Sequence, residues 1–525
     1  MLSGRNKTSD WLAAFSLANL AFLRCWAETL GLSAPQGYWL KSFPKPVDYL
    51  TLLGDVLLLG TAIFWLIRSL RVGSKLATRI LIGSGLLLLV SLVNSLRTLV
   101  GSPGTSMFLR FVDQRAAAIG IVVAIALVTA LVIGGIRALR PIYSLLILLS
   151  PFVFITAAQS VYKIVTYDDT ATRDGPLAAR LAPKPAGSPR VVWVIFDEWD
   201  FDLSFADRPA NLRLPEIDRL RAESISANQV APPNYFTDWS MPALTTGVPV
   251  QDVHPKGPSE LMILLAGGSG YVPWSRQNNV FREARKLGFN TGVVAWAIPY
   301  CRVLKEDLSN CWWWAGSNQF NSLGDTAPEM LLNRPRSLYE NTYRSPFGQS
   351  LSTIRHASVT RDVVAKALEV ARDGSVGFSL LHLPVPHPPY FYNAATGKNN
   401  RGATPIKGLF EQNQRGYFDA LVLTDRTLGQ MRREMEQAGV WDTSTVLLSS
   451  DHPFRHRQAL DGKPRSAHIP YILKMAGAAQ PGNYDHPISA LITKKLVLAI
   501  LSGEISGAAQ VPAWLDAHRA EYPLD

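Results

Sequence analysis

The sequence predicts a bundle of five transmembrane helices followed by an α/β domain with a mostly parallel central sheet flanked by helices. Of the 525 residues, 47% are hydrophobic and only 18% are charged, a composition that leans toward a membrane protein. Apolar residues dominate positions 11–163, whereas charges, Pro and aromatics become frequent from about Tyr167. Beyond that point apolar runs alternate with helical patterns, which indicates a parallel sheet covered on both faces.

Five segments approach the roughly 20 mainly apolar residues that a membrane-spanning helix needs. They are residues 11–30, 49–67, 80–99, 116–136 and 142–165. The first is not cleanly apolar, so a cleaved signal peptide is the alternative. No small-residue cleavage site is obvious and four more spans follow, so we expect a retained helix and a transmembrane domain over residues 1–165.

Basic residues in the short connections predict the orientation of the bundle. The N-terminal tail and the second and fourth connections carry eight Lys and Arg residues, against five on the opposite side. Basic residues are preferentially retained in the cytoplasm. We therefore expect the N-terminus inside and, after five spans, a catalytic domain on the outer face of a bacterial cytoplasmic (inner) membrane, in the periplasm.

Three ionisable residues within the predicted spans have two interpretations. Arg24 and Glu28 lie one helical turn apart, and Asp55 lies in the second span. They could hold a lipid head group. The alternative is an ordinary i,i+4 ion pair at the interface, with Asp55 close enough to its helix end to stay hydrated.

The net charge of +11 does not indicate a nucleic-acid partner. The basic residues are scattered and form no Lys/Arg block with interleaved aromatics. The electrostatic footprint that nucleic-acid binding requires is therefore absent from the sequence.

The three cysteines are Cys25, in the first apolar segment, and Cys301 and Cys311, in the second half of the chain. In an oxidising compartment the latter two favour a short-loop disulfide, and two unpaired thiols are the alternative. The predicted topology favours the disulfide.

Residues 166–189 are punctuated by Pro and Gly and lack periodicity, which predicts a linker before a catalytic domain over residues 190–525. Two apolar runs of that domain end in acidic groups. VVWVIF runs directly into Asp197 and Glu198, and TVLLSS runs into Asp451 and His452. Ligands gather at the carboxyl ends of parallel strands, and carboxylates with a His suit a cation such as Zn²⁺ or Mn²⁺. Capping of the next turn is the alternative role.

Five blocks in this half follow one another in the order found in the alkaline phosphatase and sulfatase superfamily. They are VVWVIFDE, LPEIDRLRAES, NYFTDWSMPALTTGVPV, NVFREARKLGFNTGVVAW and GYFDALVLTDRTLGQMRREMEQAGVWDTSTVLLSSDH. The chain resembles this superfamily over about residues 189–502. Within it, the five preceding spans resemble the membrane-anchored phosphoethanolamine and phosphoglycerol transferases, the lipoteichoic acid synthase type.

The resemblance implies a nucleophilic residue nine positions before a Thr-Gly pair, on a turn at a helix N-terminus. Thr237 stands nine residues before Thr246, which Gly247 follows. An alcohol is a poor nucleophile at neutral pH and needs a metal or a base, and a helix N-terminus can receive phosphate oxygens. Ser240 is the local rival, and a role for Thr237 as a helix cap is the alternative.

The resemblance also implies the remaining site residues. One catalytic metal, Zn or Mn, would be held by Thr237, Asp451, His452 and either Asp197 or Glu198. Two histidines, His387 in HLPVPHPPY and His468 in SAHIPYILK, are placed for substrate or a second metal, and an ordinary surface or core histidine is the alternative for each. SDHPFRHR departs from the family pattern because it lacks the Gly that usually follows Asp-His, and Arg455 and His456 could supply local substrate contacts there instead.

Departures from the family pattern select the expected reaction. The Cys-x-Pro-x-Arg sequence of sulfatases is absent, and VAWAIPYC replaces their Lys-Trp-His. We therefore expect transfer of a phosphoethanolamine or phosphoglycerol group from a phospholipid donor to an envelope glycan or lipid acceptor through a Thr-linked intermediate. The alternatives are hydrolysis of a phosphate monoester or diester and a catalytically silent, lipid-binding regulator.

Overall fold

The computed structural model describes residues 7–31, 36–71, 140–185, 187–316, 323–342, 349–399, 409–477, 479–522 and 524. The chain divides into two compact units. The first takes Met1–Ser33, Phe43–Asp169 and Asn318–Leu351, and the second takes Ala34–Ser42, Thr170–Ser317 and Ser352–Asp525. We call the second the catalytic unit, because it takes most of the catalytic domain that the sequence predicts. The predicted single boundary near residue 165 is therefore crossed twice, by residues 34–42 and 318–351.

The described residues form α-helices and short strands in the order that the sequence predicts. The helices are Lys7–Ala21, Leu23–Leu30, Pro46–Arg71, Arg140–Leu148, Pro151–Val165, Pro215–Ala222, Thr237–Thr246, Val280–Lys286, Tyr300–Val303, Ala327–Thr342, Leu351–Arg372, Leu409–Gln437, Arg457–Asp461, Thr493–Ser502 and Val511–His518. The strands are β1 (Val191–Phe196), β2 (Ile225–Ala227), β3 (Val230–Ala231), β4 (Val250–Pro255), β5 (Leu261–Leu265), β6 (Val272–Pro273), β7 (Thr291–Trp296), β8 (Asn310–Trp314), β9 (Phe378–Leu383), β10 (Tyr392–Asn393), β11 (Lys398–Asn399), β12 (Thr445–Ser449), β13 (Tyr471–Lys474), β14 (Gly482–Tyr484) and β15 (Ile488–Ser489).

Two helical stretches among the described residues are long and apolar enough to cross a membrane, Pro46–Ser69 and Pro141–Val165. They correspond to the second and fifth predicted spans. The third and fourth, residues 80–99 and 116–136, lie outside the described residues. The first predicted span forms two shorter helices, Lys7–Ala21 and Leu23–Leu30, that meet at Phe22. The five-helix bundle stays a prediction.

The ionisable residues of the first unit have protein partners. Arg24 donates to Glu28 at 2.9 Å, the i,i+4 pair expected from their spacing. Asp55 is buried, not hydrated at a helix end, and pairs with Arg334 at 2.5 Å. Arg334 belongs to the helix Ala327–Thr342 and also donates to Thr51 at 3.1 Å. This pair is one of the contacts that hold the helix Ala327–Thr342 in the first unit, because an unpaired buried charge would be costly.

The centre of the catalytic unit is an eight-stranded sheet in the order β14-β2-β13-β12-β1-β9-β7-β8. β12, β1, β9, β7 and β8 run parallel, and β13 is antiparallel to both of its neighbours. Side chains of β1 alternate between two cores, with Trp193 facing one and Val194 the other. A strand covered on both faces reads as a continuous apolar run. The predicted mostly parallel sheet flanked by helices is confirmed.

The predicted linker, residues 166–189, contacts the catalytic unit from Thr170 onward. The Ala178 N–H donates to the Lys305 carbonyl at 3.0 Å, and the Leu181 N–H donates to the Asn290 side chain at 2.8 Å. These bonds satisfy backbone groups without a regular helix or strand. The lack of periodicity therefore reflects an irregular segment laid on the domain surface.

Cys301 and Cys311 form a disulfide, as the sequence predicts. The bond joins the helix Tyr300–Val303 to the edge strand β8. Such bonds persist in oxidising compartments.

Removing this disulfide with the double substitution Cys301→Ser, Cys311→Ser is expected to lower the free energy of unfolding by about 2–3 kcal/mol, because the cross-link closes a short loop in the unfolded chain. Thermal melting of the detergent-solubilised protein measures the change. A reducing agent should lower the melting temperature of the wild type and leave that of the double variant unchanged. Equal sensitivity of the two proteins would contradict the prediction.

Candidate active site

The carboxyl ends of four neighbouring parallel strands place polar side chains together. Asp197 follows β1, and Asp451 and His452 follow β12 after one intervening residue. His382 lies near the end of β9, and Trp296 is the last residue of β7. All five are buried. The sheet order β12-β1-β9-β7 therefore builds one site from segments far apart in the sequence, at the edge where open α/β sheets bind ligands.

Each of the two aspartates has one anchored oxygen and one unpaired oxygen. Oδ2 of Asp197 accepts a hydrogen bond from the Trp296 indole at 2.9 Å. Oδ1 of Asp451 accepts the backbone N–H groups of His452 at 2.9 Å and Glu198 at 3.3 Å. The other oxygens, Oδ1 of Asp197 and Oδ2 of Asp451, are buried and accept no hydrogen bond from the described residues. Buried unpaired carboxylate oxygens are costly, so a cation is the natural partner for both.

His452 completes a donor set for that cation. Its Nδ1 lies 3.0 Å from the Pro453 carbonyl, which favours the tautomer with the proton on Nδ1 and the lone pair on Nε2. Nε2 lies 3.3 Å from Oδ2 of Asp451 and 3.7 Å from Oδ1 of Asp197. One ligand atom from each of the three residues lies within 4.8 Å of the others. Two carboxylates and an imidazole fit a divalent metal ion.

Charge within the site shifts the ionisation of its members. Burial and the charge of Asp197 raise the pKa of Asp451. Burial opposes ionisation of Asp197 as well, but His387 and His382 outweigh it and hold the pKa of Asp197 below its usual value. Burial and the two cluster carboxylates also raise the pKa of Asp238 to about 6. Negative charge is thus concentrated here, which favours binding of a cation.

Thr237 is the first residue of the helix Thr237–Thr246, and its hydroxyl lies 3.3 Å from Nε2 of His452. The helix ends at Gly247, which has a left-handed φ of 71°. A residue without Cβ adopts this conformation at least cost. The nine-residue spacing between Thr237 and Thr246 is therefore the length of one helix with a glycine stop. The rival Ser240 is buried and donates to the Asn234 carbonyl at 3.1 Å.

Glu198 occupies a different place from Asp197. It has a φ of 64°, rare for a residue other than glycine, and its Oε1 pairs with Arg455. Of the two adjacent acids, the structure thus brings Asp197 into the three-residue cluster and Glu198 to a guanidinium. Nη2 of Arg455 also lies 3.1 Å from Nε2 of His387. Its guanidinium lies 5.8 Å from the ring centre of Phe236, the neighbour of Thr237.

The remaining predicted residues lie outside the three-residue cluster. The ring of His468 packs edge-on against Phe201, with 6.3 Å between ring centres. His456 is exposed and precedes the helix Arg457–Asp461. The structure therefore places His387 and Arg455 beside the acids, whereas His468 and His456 lie outside the three-residue cluster.

Sequence reasoning missed three residues of this site. His382 lies 3.5 Å through Nε2 from Oδ2 of Asp197. Its signal was a polar residue inside the apolar strand FSLLHL. Asp238 adjoins Thr237 in the sequence, and burial together with the charges of both cluster carboxylates raises its pKa. Its signal was its position beside the predicted nucleophile. Trp296 offered no signal, because an apolar strand commonly ends in an aromatic residue.

Comparison with known proteins gives one family and several distant relatives. The sulfatase family model matches residues 189–501. An ulvan-active sulfatase from Formosa agariphila is 20% identical over 360 residues, 62% of this chain and 63% of that relative. The chain thus matches less than two thirds of that relative's length.

Solved structures give weaker similarities. A phosphonate monoester hydrolase from Agrobacterium radiobacter is 14% identical with a TM-score of 0.39, covering 60% of this chain and 77% of that one. The lipoteichoic acid synthase LtaP from Listeria monocytogenes is 15% identical with a TM-score of 0.37, covering 61% and 76%. The family model alone spans more than half of the chain. The chain therefore belongs to the sulfatase family, in the alkaline phosphatase superfamily, and is an enzyme of the sulfatase-like type.

Proposed function

We propose that the protein transfers a phospho-substituent, phosphoethanolamine or phosphoglycerol, from a phospholipid to an envelope glycan or lipid through a Thr237-linked intermediate. The observation that carries the proposal is the Thr237 hydroxyl at a helix start, 3.3 Å from His452 and beside two buried carboxylates. An alcohol in this setting suits nucleophilic attack on phosphorus. Residue 237 is not the cysteine that a formylglycine-dependent sulfatase requires.

The first step exchanges one phosphate ester for another. The Thr237 oxygen bonds to phosphorus, the bond from phosphorus to the diacylglycerol oxygen breaks, and the proton lost by Thr237 is balanced by one gained by diacylglycerol. In the second step an acceptor hydroxyl attacks the same phosphorus and the bond from phosphorus to the Thr237 oxygen breaks. The proton lost by the acceptor hydroxyl balances the one regained by Thr237, and the substituted acceptor leaves. The N–H groups at the start of the helix Thr237–Thr246 suit the phosphate oxygens.

Asp197, Asp451 and His452, with Thr237, are the residues that would hold one divalent metal ion, Zn or Mn. When bound, the ion would lower the pKa of a coordinated hydroxyl and offset phosphate charge. We expect Arg455 to bind a phosphate oxygen, because its guanidinium lies 5.8 Å from the ring centre of Phe236, the neighbour of Thr237. Guanidinium groups bind phosphate through paired donors.

Membrane attachment supports a lipid donor. The two candidate membrane helices, Pro46–Ser69 and Pro141–Val165, fit the proposed five-helix bundle. The disulfide supports a location of the catalytic unit outside the cytoplasm. We propose a bacterial inner-membrane enzyme with its N-terminus inside and its catalytic unit in the periplasm, close to phospholipids of the outer leaflet.

The decisive experiment incubates the detergent-solubilised protein with head-group-labelled phosphatidylethanolamine or phosphatidylglycerol and locates label by peptide mass spectrometry. A phospho-adduct on Thr237, discharged when an acceptor glycan is added, supports transfer. Release of free phospho-substituent to water at the same rate with and without acceptor contradicts transfer.

Hydrolysis is the second candidate, because the relative from Formosa agariphila is named a sulfatase. Water would then replace the acceptor in the second step. A soluble phosphate diester such as bis(p-nitrophenyl) phosphate distinguishes the two, since a hydrolase turns it over steadily. A transferase would stall after one equivalent of p-nitrophenol per chain.

Replacing Arg455 by Ala is expected to lower kcat/KM by on the order of 100-fold, because one charge-stabilising donor to the phosphate is lost. Arg455→Lys should recover part of the activity, since it keeps the charge but not the paired donors. Steady-state kinetics on fluorescent phosphatidylethanolamine in mixed micelles measures both. Arg465→Ala is the matched control, because Arg465 lies over the Tyr235 ring at 4.4 Å instead. Equal losses from Arg455→Ala and Arg465→Ala would contradict the role.

A further inference from the structure

Residues 36–42, called the strap here, belong to the catalytic unit although they lie in sequence between the first two predicted spans. Gln36–Trp39 forms a single 3-10 turn. Tyr38 is 1% exposed and forms part of the hydrophobic core on one face of the central sheet. Burial of a whole aromatic side chain removes a large apolar area from water. The strap is therefore fixed within the catalytic unit.

A second set of contacts holds the strap through its backbone. Nη2 of Arg302 donates to the carbonyl oxygens of Tyr38 at 3.1 Å and Leu40 at 2.7 Å. Arg302 is only 2% exposed, and its guanidinium lies 4.8 Å from the ring centre of Trp313. A buried guanidinium is costly unless its donors are used, and among the described residues only Nη2 of Arg302 has hydrogen-bond acceptors, whereas Nε and Nη1 have none. The two strap carbonyls are therefore the acceptors that stabilise Arg302 within the described residues.

An ion pair at the end of the strap strengthens the attachment. Nζ of Lys41 lies 2.6 Å from Oδ2 of Asp174 and 4.6 Å from the ring centre of Trp313. The Trp313 indole donates to Oδ1 of the same aspartate at 2.9 Å. Trp313 lies on β8, the strand that the disulfide joins to the helix Tyr300–Val303. Trp313 on β8 therefore contacts the strap, and the disulfide joins the same strand to this helix.

A path of contacts runs from that helix to the metal-binding acids. Tyr300 and Arg302 lie on its single turn. The buried Tyr300 hydroxyl lies 3.4 Å from Nδ1 of His382. Nε2 of His382 lies 3.5 Å from Oδ2 of Asp197, an electrostatic contact without a hydrogen bond, because Nε2 has no hydrogen-bond partner among the described residues. This oxygen is the anchored one, which leaves Oδ1 unpaired. The strap thus contacts Arg302, and two further contacts lead from its helix to Asp197.

We propose that the strap contributes to the active site by positioning Asp197 for metal binding, through Arg302, Tyr300 and His382. Groups outside the coordination shell that orient a metal ligand typically change the metal affinity by about 10- to 100-fold when they are mutated. The strap supplies such support from a loop between two predicted membrane helices. The inference rests on the metal site of the proposed function, but not on the transferred group.

The Tyr38 side chain carries no charge within the strap. The Tyr38 hydroxyl is buried and has no hydrogen-bond partner among the described residues. Burial and the nearby carboxylates of Asp238 and Glu260 raise the pKa of Tyr38 well above its usual value. Asp238 adjoins Thr237 in the sequence. The strap therefore stays neutral at Tyr38 and adds no charge beside the acids.

Metal affinity of the full-length, detergent-solubilised protein tests the proposal. The protein is stripped with a chelator and titrated with Mn²⁺ and with Zn²⁺, and bound metal is measured by equilibrium dialysis and mass spectrometry. Tyr300→Phe and Arg302→Met should raise the metal Kd by about 10- to 100-fold. Lys41→Met should raise it by up to about fivefold, because the Lys41–Asp174 pair is partly exposed. Lys41→Arg should keep the wild-type value.

Coupling between variants shows whether the strap acts through Tyr300. In the Tyr300→Phe background, Lys41→Met should cause no further rise in Kd, because residues on one path are not additive. Full additivity would overturn the path. Tyr484→Phe is the matched control, since it removes a tyrosine hydrogen bond at the opposite edge of the sheet.

A merely structural Tyr300 gives a different result. Tyr300→Phe would then lower the melting temperature of the metal-free protein and leave the metal Kd unchanged, which overturns the proposal. If Arg302→Met does not fold, Tyr300→Phe and Lys41→Met still decide the outcome. Metal binding is measured on the wild type first, so a failed transfer assay does not affect this test.

Discussion

Replacing Thr237 by Ala is expected to abolish adduct formation and to lower turnover by on the order of 1,000-fold or more, because the attacking oxygen is lost. Thr237 is the first residue of its helix, so Ala removes the hydroxyl without breaking a helical hydrogen bond. Metal binding should persist through Asp197, Asp451 and His452. The measurement is the rate of diacylglycerol release from labelled phospholipid, with the bound metal determined in the same samples.

Two further variants separate the nucleophile from its neighbours. Thr237→Ser keeps an alcohol at the same position and should keep the adduct. Ser240→Ala removes the rival hydroxyl, which donates to the Asn234 carbonyl, and should also keep the adduct. Label on Ser240 in the Thr237→Ala protein would reverse the assignment, and full turnover by that protein would exclude a covalent Thr237 intermediate.

The residues whose positions could be predicted were those that follow from the local sequence pattern. β1 and β12 are buried on both faces, so each appears in the sequence as an uninterrupted apolar run, and the first polar residues after them had to lie near a sheet edge. Asp451, His452 and the pair Asp197 and Glu198 follow from this reasoning. Thr237 was predicted instead from the resemblance to the superfamily, whose nine-residue spacing corresponds here to one helix that ends before Gly247.

Residues placed by distant packing were not predictable in the same way. Tyr38 is one aromatic residue in a short connection, and nothing local indicates that its ring enters the sheet core. Arg334 lies in a helix of ordinary polarity, and tertiary contacts such as its pair with Asp55 assign that helix to the first unit. Both contacts join residues hundreds of positions apart, a separation over which periodicity carries no information.

Glu198 shows why two adjacent acids were ambiguous. Consecutive side chains point in different directions, and here the left-handed backbone of Glu198 accompanies a turn of its carboxylate to Arg455. Sequence alone contains neither the backbone angle nor the distant arginine. The ambiguity was therefore resolved by tertiary structure, which brings Asp197 into the cluster with His452.

Asp451→Asn is expected to remove the response of the protein to metal while stabilising its metal-free form. In the metal-free wild type, two buried carboxylates face each other with one unpaired oxygen each, and both burial and Asp197 raise the pKa of Asp451. Asn keeps an oxygen to accept the N–H groups of Glu198 and His452, but it carries no charge. Like-charge repulsion is lost together with a metal ligand.

The two effects have opposite signs, and thermal melting with and without metal separates them. At a free metal concentration 100 times the Kd, binding stabilises the wild type by about 2.7 kcal/mol, and a chelator removes this gain. The Asp451→Asn protein should melt above the chelated wild type and show no shift on adding metal. Asp516→Asn, which changes an exposed aspartate beside Tyr484, should keep the full metal response. If Asp451 only accepted backbone hydrogen bonds, the Asp451→Asn protein would keep the metal-induced rise in melting temperature. An unchanged rise would therefore exclude Asp451 as a metal ligand.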